Sequence, residues 1–530
     1  MHADISRSTY RPDQHYSAVI AQQGRVQLDA DANEQTAIQL AQARTTAADL
    51  IGQHGGPLGA TGFELHFVGG SRELDDLSIG GGRYYVDGIL LDATRPQPGV
   101  PVVDDAHGAE EGEKEEPADA PAPAAPPAAW TYWDQPDGHR DPERPGDRLP
   151  SQFPYLAYLK VWERSVTAAE DPLLREVALG SAMPDTAARL KVVWQVLPLP
   201  GSQLELEDGA TKDQVRAAFT KWAAAQAPGA RMAARSERPE HAAEDPCLVK
   251  PDARYRGQEN QMYRVEIHEG GVAKDATFKW SRENGSVTFP VDQLDGTWVE
   301  LASLGSDDKL DLNVGDWVEF ADTAYLSRNE PLPLLRVEEL DLPGRRVRLS
   351  AEPDPSVGRR PELHPFLRRW DHRSGSGRAG GSGRTKQGAA KLRHGALRIE
   401  EGGWLPLEDG VFVYFEPGKA YRTGDYWTVA ARTATGNVEW PTDAARRPLL
   451  QAPAGNHVHC APLAWVLGEG SVADLRQTFA PLAAPIPAAD AEALAAEAEY
   501  EAEAAAAEST AAGGSGPGTA GQDLEGQPDH

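Results

Sequence analysis

A chain of 530 residues with a formal net charge of −29 is too long for one ordinary core and is expected to fold as several packed units. Its acidity argues against nucleic acid, whose recognition draws on Lys/Arg patches and counterion release. No apolar run approaches the roughly 20 residues a bilayer span requires, and two cysteines form no disulfide framework. Met1-His2-Ala3-Asp4 begins no basic-then-apolar leader, so a cytoplasmic location is expected.

The acidity is local. Residues 104–129 and 488–530 supply 17 of the 29 excess negative charges and consist mostly of Ala, Gly, Pro, Ser and Glu. Such segments bury too little apolar surface to offset chain entropy and are expected not to fold.

In chain order, the chain opens with an arm, Asp4 to Tyr10, the stretch Val19 to Asp31 follows, and Asp29 or Asp31 offers an N-cap for a helix over 29–51. Ile38, Ala41, Thr45, Ala48 and Ile51 form its apolar stripe, and Gly52 stops it. Together 1–60 read as an arm and a helix. Residues 61–208 read as a first β unit with a disordered acidic insert at 104–150. In it Asp87-Gly88 marks a hairpin turn, and Asp171-Pro172 to Gly180 marks a short helix of about two turns between two strands.

Residues 209–250 read as an Ala-rich helical segment to 235 and then a loop. A central β barrel or sandwich is expected over 251–360. There Tyr263, Val265 and Ile267 alternate with Arg264, Glu266 and His268, and Asn284-Gly285 gives a second hairpin signal. A C-terminal β unit over 361–482 contains a Gly/Ser/Arg-rich flexible loop at 374–390 and strands at 411–415, 426–429 and 464–467. The tail 483–530 is expected to be disordered. The fold class predicted is mainly β and multi-domain, with antiparallel barrel or sandwich units, one N-terminal helix and a few short helices.

Motifs for chemistry are weak. His457-Val458-His459-Cys460, joined in space by Cys247, could offer zinc ligands, but the spacing lacks a second pair. Strand alternation also separates the two histidines from Cys460, so packing at a strand start is the expected role and no metal is assigned. Acidic pairs such as Glu400-Glu401 and Glu408-Asp409 are expected on solvated loops of so acidic a chain. No phosphate-binding loop and no Gly-x-Ser-x-Gly elbow is present. The thirteen Trp residues could line a glycan face, but their place in β runs favours core packing. No cofactor and no catalytic residue is expected.

Several stretches are more particular. They are Gln22 to Gln35, Ala48 to Pro57, Tyr255 to His268, Phe278 to Ser286, and Tyr421-Arg422-Thr423-Gly424-Asp425-Tyr426-Trp427. Together they resemble an uncharacterised bacterial family whose genes tend to lie in clusters for extracellular contractile injection systems and related phage-tail-like particles. The resemblance spans roughly 1–70, 80–103, 150–200 and 250–482. It implies a non-catalytic structural or adaptor subunit, made in a bacterial cytoplasm. Its partners would be sheath, tube, baseplate or cap proteins, or further copies of itself. Tyr10, Arg25, Asp29 and Asn33, on the arm and first helix, are the docking residues expected. A glycan-binding or glycan-cleaving fibre-like protein is the alternative.

Overall fold

The computed structural model describes residues 2–70, 73–96, 129–180, 183–206, 209–236, 255–305, 309–373, 391–483 and 500. Residues 104–128, Cys247, the loop 374–390 and the tail from 484 onward (Tyr500 excepted) lie outside them. The chain divides into two units, Met1–Phe479 and Ala480–His530, and the features below belong to the first. It is mainly β, with three α-helices among the described residues: α1 (Asp29–Ile51), α2 (Lys212–Ala225) and α3 (Thr323–Arg328).

Three β regions share the body, and only the third is continuous in sequence. In the first, a four-stranded sheet orders as Ser471–Asp474, His459–Gly468, Tyr155–Val166 and Arg189–Pro200. Tyr155–Val166 is buried on both faces because α2 covers the second one. Tyr155, Ala157, Leu159 and Val161 enter the first core, while Leu156 and Tyr158 meet Val215 and Phe219 of α2. The last expected strand of the C-terminal unit, 464–467, therefore lies in the first region, paired with 155–157.

The second region sets a six-stranded sheet against a three-stranded one. The larger sheet orders as Leu392–Arg393, Ala396–Arg398, Thr277–Ser281, Gln261–Ile267, Tyr426–Arg432 and Asn437–Glu439, and the smaller includes Val411–Phe415 and Met232–Ser236. The third region is a closed six-stranded barrel formed from Thr288–Asp295, Trp298–Leu301, Trp317–Ala321, Leu335–Asp341, Arg346–Leu349 and Phe366–Trp370.

Local chemistry explains where the sequence reading needs correction. The Ala-rich helix ends at Ala225, and 232–236 is a strand paired with 411–415. Residues 171–180 form two 3-10 turns, Pro172–Leu174 and Val177–Leu179, each capped by an acidic side chain, rather than one helix. Residues 129–150, expected in the disordered insert, are folded: Tyr132 and Leu149 sit in the first core. The N-cap of α1 is Leu28, whose N–H donates to Asp31 Oδ2 at 3.2 Å. Asp29 is instead bonded to the arm.

Asp87 and Gly88 both take positive φ and join strands that pair, as expected of a type I′ hairpin. Asn284 and Gly285 also take positive φ, 53° and 68°, with Ser286 N–H bonding Glu283 O at 2.9 Å. Yet the strands they join do not pair: 277–281 lies in the six-stranded sheet and 288–295 in the barrel. The turn is a corner between two β regions.

Candidate functional site

The strand Gln261–Ile267 is buried along its whole length. Alternation sends Tyr263, Val265 and Ile267 into the second core and turns Arg264 and Glu266 the other way. Lys279 stands opposite Glu266 in register, and on the barrel Glu319 stands opposite Arg368. These two charged faces meet. Lys279 Nζ lies 2.6 Å from Glu319 Oε1 and 3.3 Å from Glu266 Oε1, bridging sheet and barrel. Arg264 Nε donates to Glu266 Oε2 at 2.6 Å and its guanidinium lies 3.5 Å from the Tyr426 ring centre. Tyr325 of α3 and Trp370 Nε1 donate to the two oxygens of Glu319.

The junction is closed by the beginning of the chain. His2 N–H donates to Ser165 Oγ at 2.7 Å, and that hydroxyl donates back to His2 O at 3.1 Å. The imidazole Nε2 lies 2.9 Å from Glu266 Oε2, and its ring meets Trp370 edge-on. Asn284 Nδ2 donates to Ala3 O at 2.9 Å. His2 thus contacts the first β region through Ser165, the second through Glu266 and the barrel through Trp370. We term residues 2–6 the latch.

The electrostatics are those of a clasp. Burial pushes the carboxyls of Glu266 and Glu319 up, but the cations Arg264, Lys279 and Arg368 outweigh it and hold both well below the usual range. Burial, with Arg264 and Arg368 nearby, holds His2 far below an ordinary imidazole, so the ring is neutral. All four carboxylate oxygens are occupied by donors. A general acid would need a carboxyl raised toward neutrality, and these are driven the other way.

A cavity of about 70 Å³ lies at the junction, lined by His2, Trp162, Arg164, Lys279, Arg368 and Asn456 among others. A network of the same kind stands at its rim. Arg328 binds both oxygens of Asp147, at 2.7 and 2.9 Å, and reaches Glu330, while Arg140 also pairs with Asp147. This ties α3 to the folded segment 129–150.

Beyond the latch the chain stays tied as far as Thr9. Ser6 donates to Asp29 through its N–H and hydroxyl, at 2.8 and 2.7 Å, and Thr9 donates to Glu34. Residues 11–28 then run as an exposed arm with Val19 alone half-buried. Tyr16 is 61% exposed, Ile20 82% and Val26 83%. Helix α1, which ends the arm, buries only Ala30 and Ile38. It is pinned to the first β region by a two-point pairing of Arg44 with Glu163.

The expected docking residues separate in this light. Arg25 and Asn33 are exposed and Tyr10 is half-buried at the root of the arm, while Asp29 holds the arm through Ser6. Of the expected metal candidates, His459 Nδ1 lies 2.7 Å from Asp87, and His457 precedes the strand His459–Gly468. Cys460 packs beside the second face of the first region, and burial pushes its thiol up to about 11. Among the described residues no group of three or more His, Cys, Asp or Glu could hold a metal ion. All thirteen Trp residues are buried or half-buried. The residues that sequence reasoning missed are His2, Arg264, Glu266, Lys279, Glu319 and Arg368. Their one sequence signal was alternation, which a solvated strand face shows equally.

A family model described as a family of unknown function (DUF6519) matches residues 1–108 and 205–522. The match takes in latch, arm, α1 and both charged strand faces, and it leaves out 109–204, where the hairpin of Tyr155–Val166 and Arg189–Pro200 lies. No curated protein and no solved structure matches the chain.

Proposed function

Since the chain belongs to the DUF6519 family, a family of unknown function, we propose that it is a non-catalytic structural or adaptor subunit of a phage-tail-like contractile particle. The observation that carries this reading is the exposed arm 11–28, fastened at one end by the latch and at the other by α1. A mainly polar segment tied at both ends, and midway by Val19 N–H to Gln35 Oε1 at 2.7 Å, presents Tyr16, Ile20 and Val26 to a neighbour. Isolated apolar side chains on a surface are ordinary, but several on one segment suit an interface.

Two further features support it. Buried ion pairs, Lys279 with Glu319 and with Glu266, bridge sheet and barrel and fix their mutual position, since separating them would leave charges buried and unpaired. The sequence resemblance to a family encoded beside contractile particles supplies the kind of neighbour: sheath, tube, baseplate or cap proteins, or another copy of the chain.

The test is affinity purification of the tagged full-length protein from its native host, with identification of what comes with it. Co-purification of sheath, tube or baseplate proteins, together with misassembled particles on gene deletion, is the expected result. Intact particles that fail to attach to a target would instead favour the glycan-directed alternative.

A further inference from the structure

Two parts of the chain that touch are joined by far more chain than they need. Thr9 Oγ1 lies 3.4 Å from Ala30 O and donates to Glu34 at 2.5 Å, and Ser6 is bonded to Asp29. Residues 10–28 nevertheless run between Thr9 and Asp29, the first residue of α1. Connections in compact folds have a median of about 4–6 residues, and structureless ones beyond about 12–15 are uncommon and usually functional. Fully extended, this connector would reach about 60 Å.

The connector adds little to the body it leaves. Its backbone bonds are local turns: Gln14 N–H to Arg11 O, His15 N–H to Pro12 O and Arg25 N–H to Gln22 O. Among the described residues, its one hydrogen bond to the body between 11 and 27 is that of Val19 to Gln35. Tyr16, Ile20 and Val26 stay exposed.

What the connector carries is the reverse, a segment with a specific seat. His2 is held by Ser165, Glu266 and Trp370, and Ala3 O by Asn284. Further along, Arg432 donates to Ser6 O at 3.0 Å, and Arg7 pairs with Glu439 at 3.1 Å. A seated segment on a long, loosely held connector transfers to the identical seat of another copy with every contact remade. Exchange of one element between copies is for that reason a low-cost route to association.

We propose that residues 2–9 are exchanged between copies of this chain, the latch of one copy seating in the junction of the next. The partner is a second copy because the seat fits this sequence residue by residue. A tethered latch meets its own seat at an effective concentration in the millimolar range, so a dilute chain closes on itself, as in the structure. Copies held side by side offer a neighbour's seat at a comparable concentration, and the connector is long enough to cross to it. The crossing also lays Tyr16, Ile20 and Val26 between two copies, and their burial is a gain that self-closure lacks. The exchange is a property of the purified protein and does not depend on the particle role proposed above.

Ser6→Cys and Asp29→Cys test it when placed in separate chains, each also carrying Cys247→Ser and Cys460→Ser. A disulfide between the two variants then forms only between copies. Refolded together from urea at high concentration and oxidised, they should give a covalent heterodimer, identified by intact mass. Its yield should exceed by about tenfold that of Ser6→Cys with Asp49→Cys, an exposed position near the far end of α1. A yield no greater than this control's, or no heterodimer, would overturn the exchange. Removing residues 13–24 from the Ser6→Cys chain gives a second reading. Residues 10–12 and 25–28 still join ends that touch, but they reach only about 25 Å. The melting temperature should therefore be nearly unchanged while the heterodimer is lost. A heterodimer that survives the shortening, or a shortened chain that melts well below the full one, would contradict the proposal.

Discussion

His2 and Glu266 are 264 positions apart in the chain and 2.9 Å apart in the fold. That contact makes the start of the chain part of its centre. Removing residues 2–6 leaves Glu266 and Asn284 short of partners and exposes Trp370. A buried hydrogen bond to a charged group contributes about 1.5–3 kcal/mol. His2→Ala should therefore lower the unfolding free energy by about 2 kcal/mol in urea titration. An unchanged midpoint would mean that the latch is not seated in solution.

Acid should loosen the same junction. His2, His268 and His372 all have folded values depressed by burial, His268 to about 3 and His372 to about 4. A histidine kept neutral by the fold adds stability above its unfolded value of 6.5 and loses it as pH falls below that point, because only the unfolded chain then takes the proton. Glu266 and Glu319, also depressed, act in the same direction at lower pH: their contribution is present above the ordinary carboxylate value of 4.5 and is lost as pH falls below it. Asp425, raised to about 6 by burial, opposes the trend over one window, roughly pH 6 down to 4. Urea midpoints measured from pH 7.5 to 4.5 should decline, and His268→Asn should flatten the slope between 6.5 and 5. A flat profile in the unaltered protein would contradict buried neutral histidines.

Gly285 should tolerate no side chain while the latch is closed. Its φ is +68°, and an added Cβ would stand 2.7 Å from His2 Cδ2. Gly296 has a similar φ, +59°, with nothing within 4 Å, so it isolates the cost of backbone conformation alone. Gly285→Ala should cost at least about 1 kcal/mol more than Gly296→Ala. In a chain lacking residues 2–6 that difference should vanish. Persistence of the full difference would show that the latch is not what crowds this glycine.

How much of this was legible follows from which periods the residues obey. The Asp87-Gly88 hairpin and the helix over 29–51 were readable because turn chemistry and a helical stripe are local. Asn284-Gly285 was half readable: its positive-φ turn is there, but the dipeptide does not say whether the flanking strands pair with each other. The charged junction was hidden for a similar reason. Arg264, Glu266 and Lys279 alternate with apolar residues as on a strand with one wet face, and only the docking of barrel against sheet makes that face an interior. The strand 464–467 could not be placed either, since its partner 155–157 lies some 300 residues earlier.

The two-point pairing of Arg44 with Glu163 offers a separate handle on α1. The side chains are 28% and 20% exposed, so the pair is partly screened, and a loss near 1 kcal/mol is expected for Arg44→Ala. Arg44→Glu should cost more than that, and Arg44→Glu combined with Glu163→Arg should recover most of the loss. Additive losses in the double variant would mean that the helix is held by its apolar contacts alone.

The arm decides the account. Tyr16→Ser, Ile20→Ser and Val26→Ser change three exposed side chains that support nothing in the body, so the triple variant should melt at the temperature of the unaltered protein. Expressed in the native host in place of the original, it should be made at normal levels yet be depleted from purified contractile particles, as quantified by mass spectrometry against a sheath protein. A folded triple variant found on intact particles in its usual amount would contradict docking through the arm.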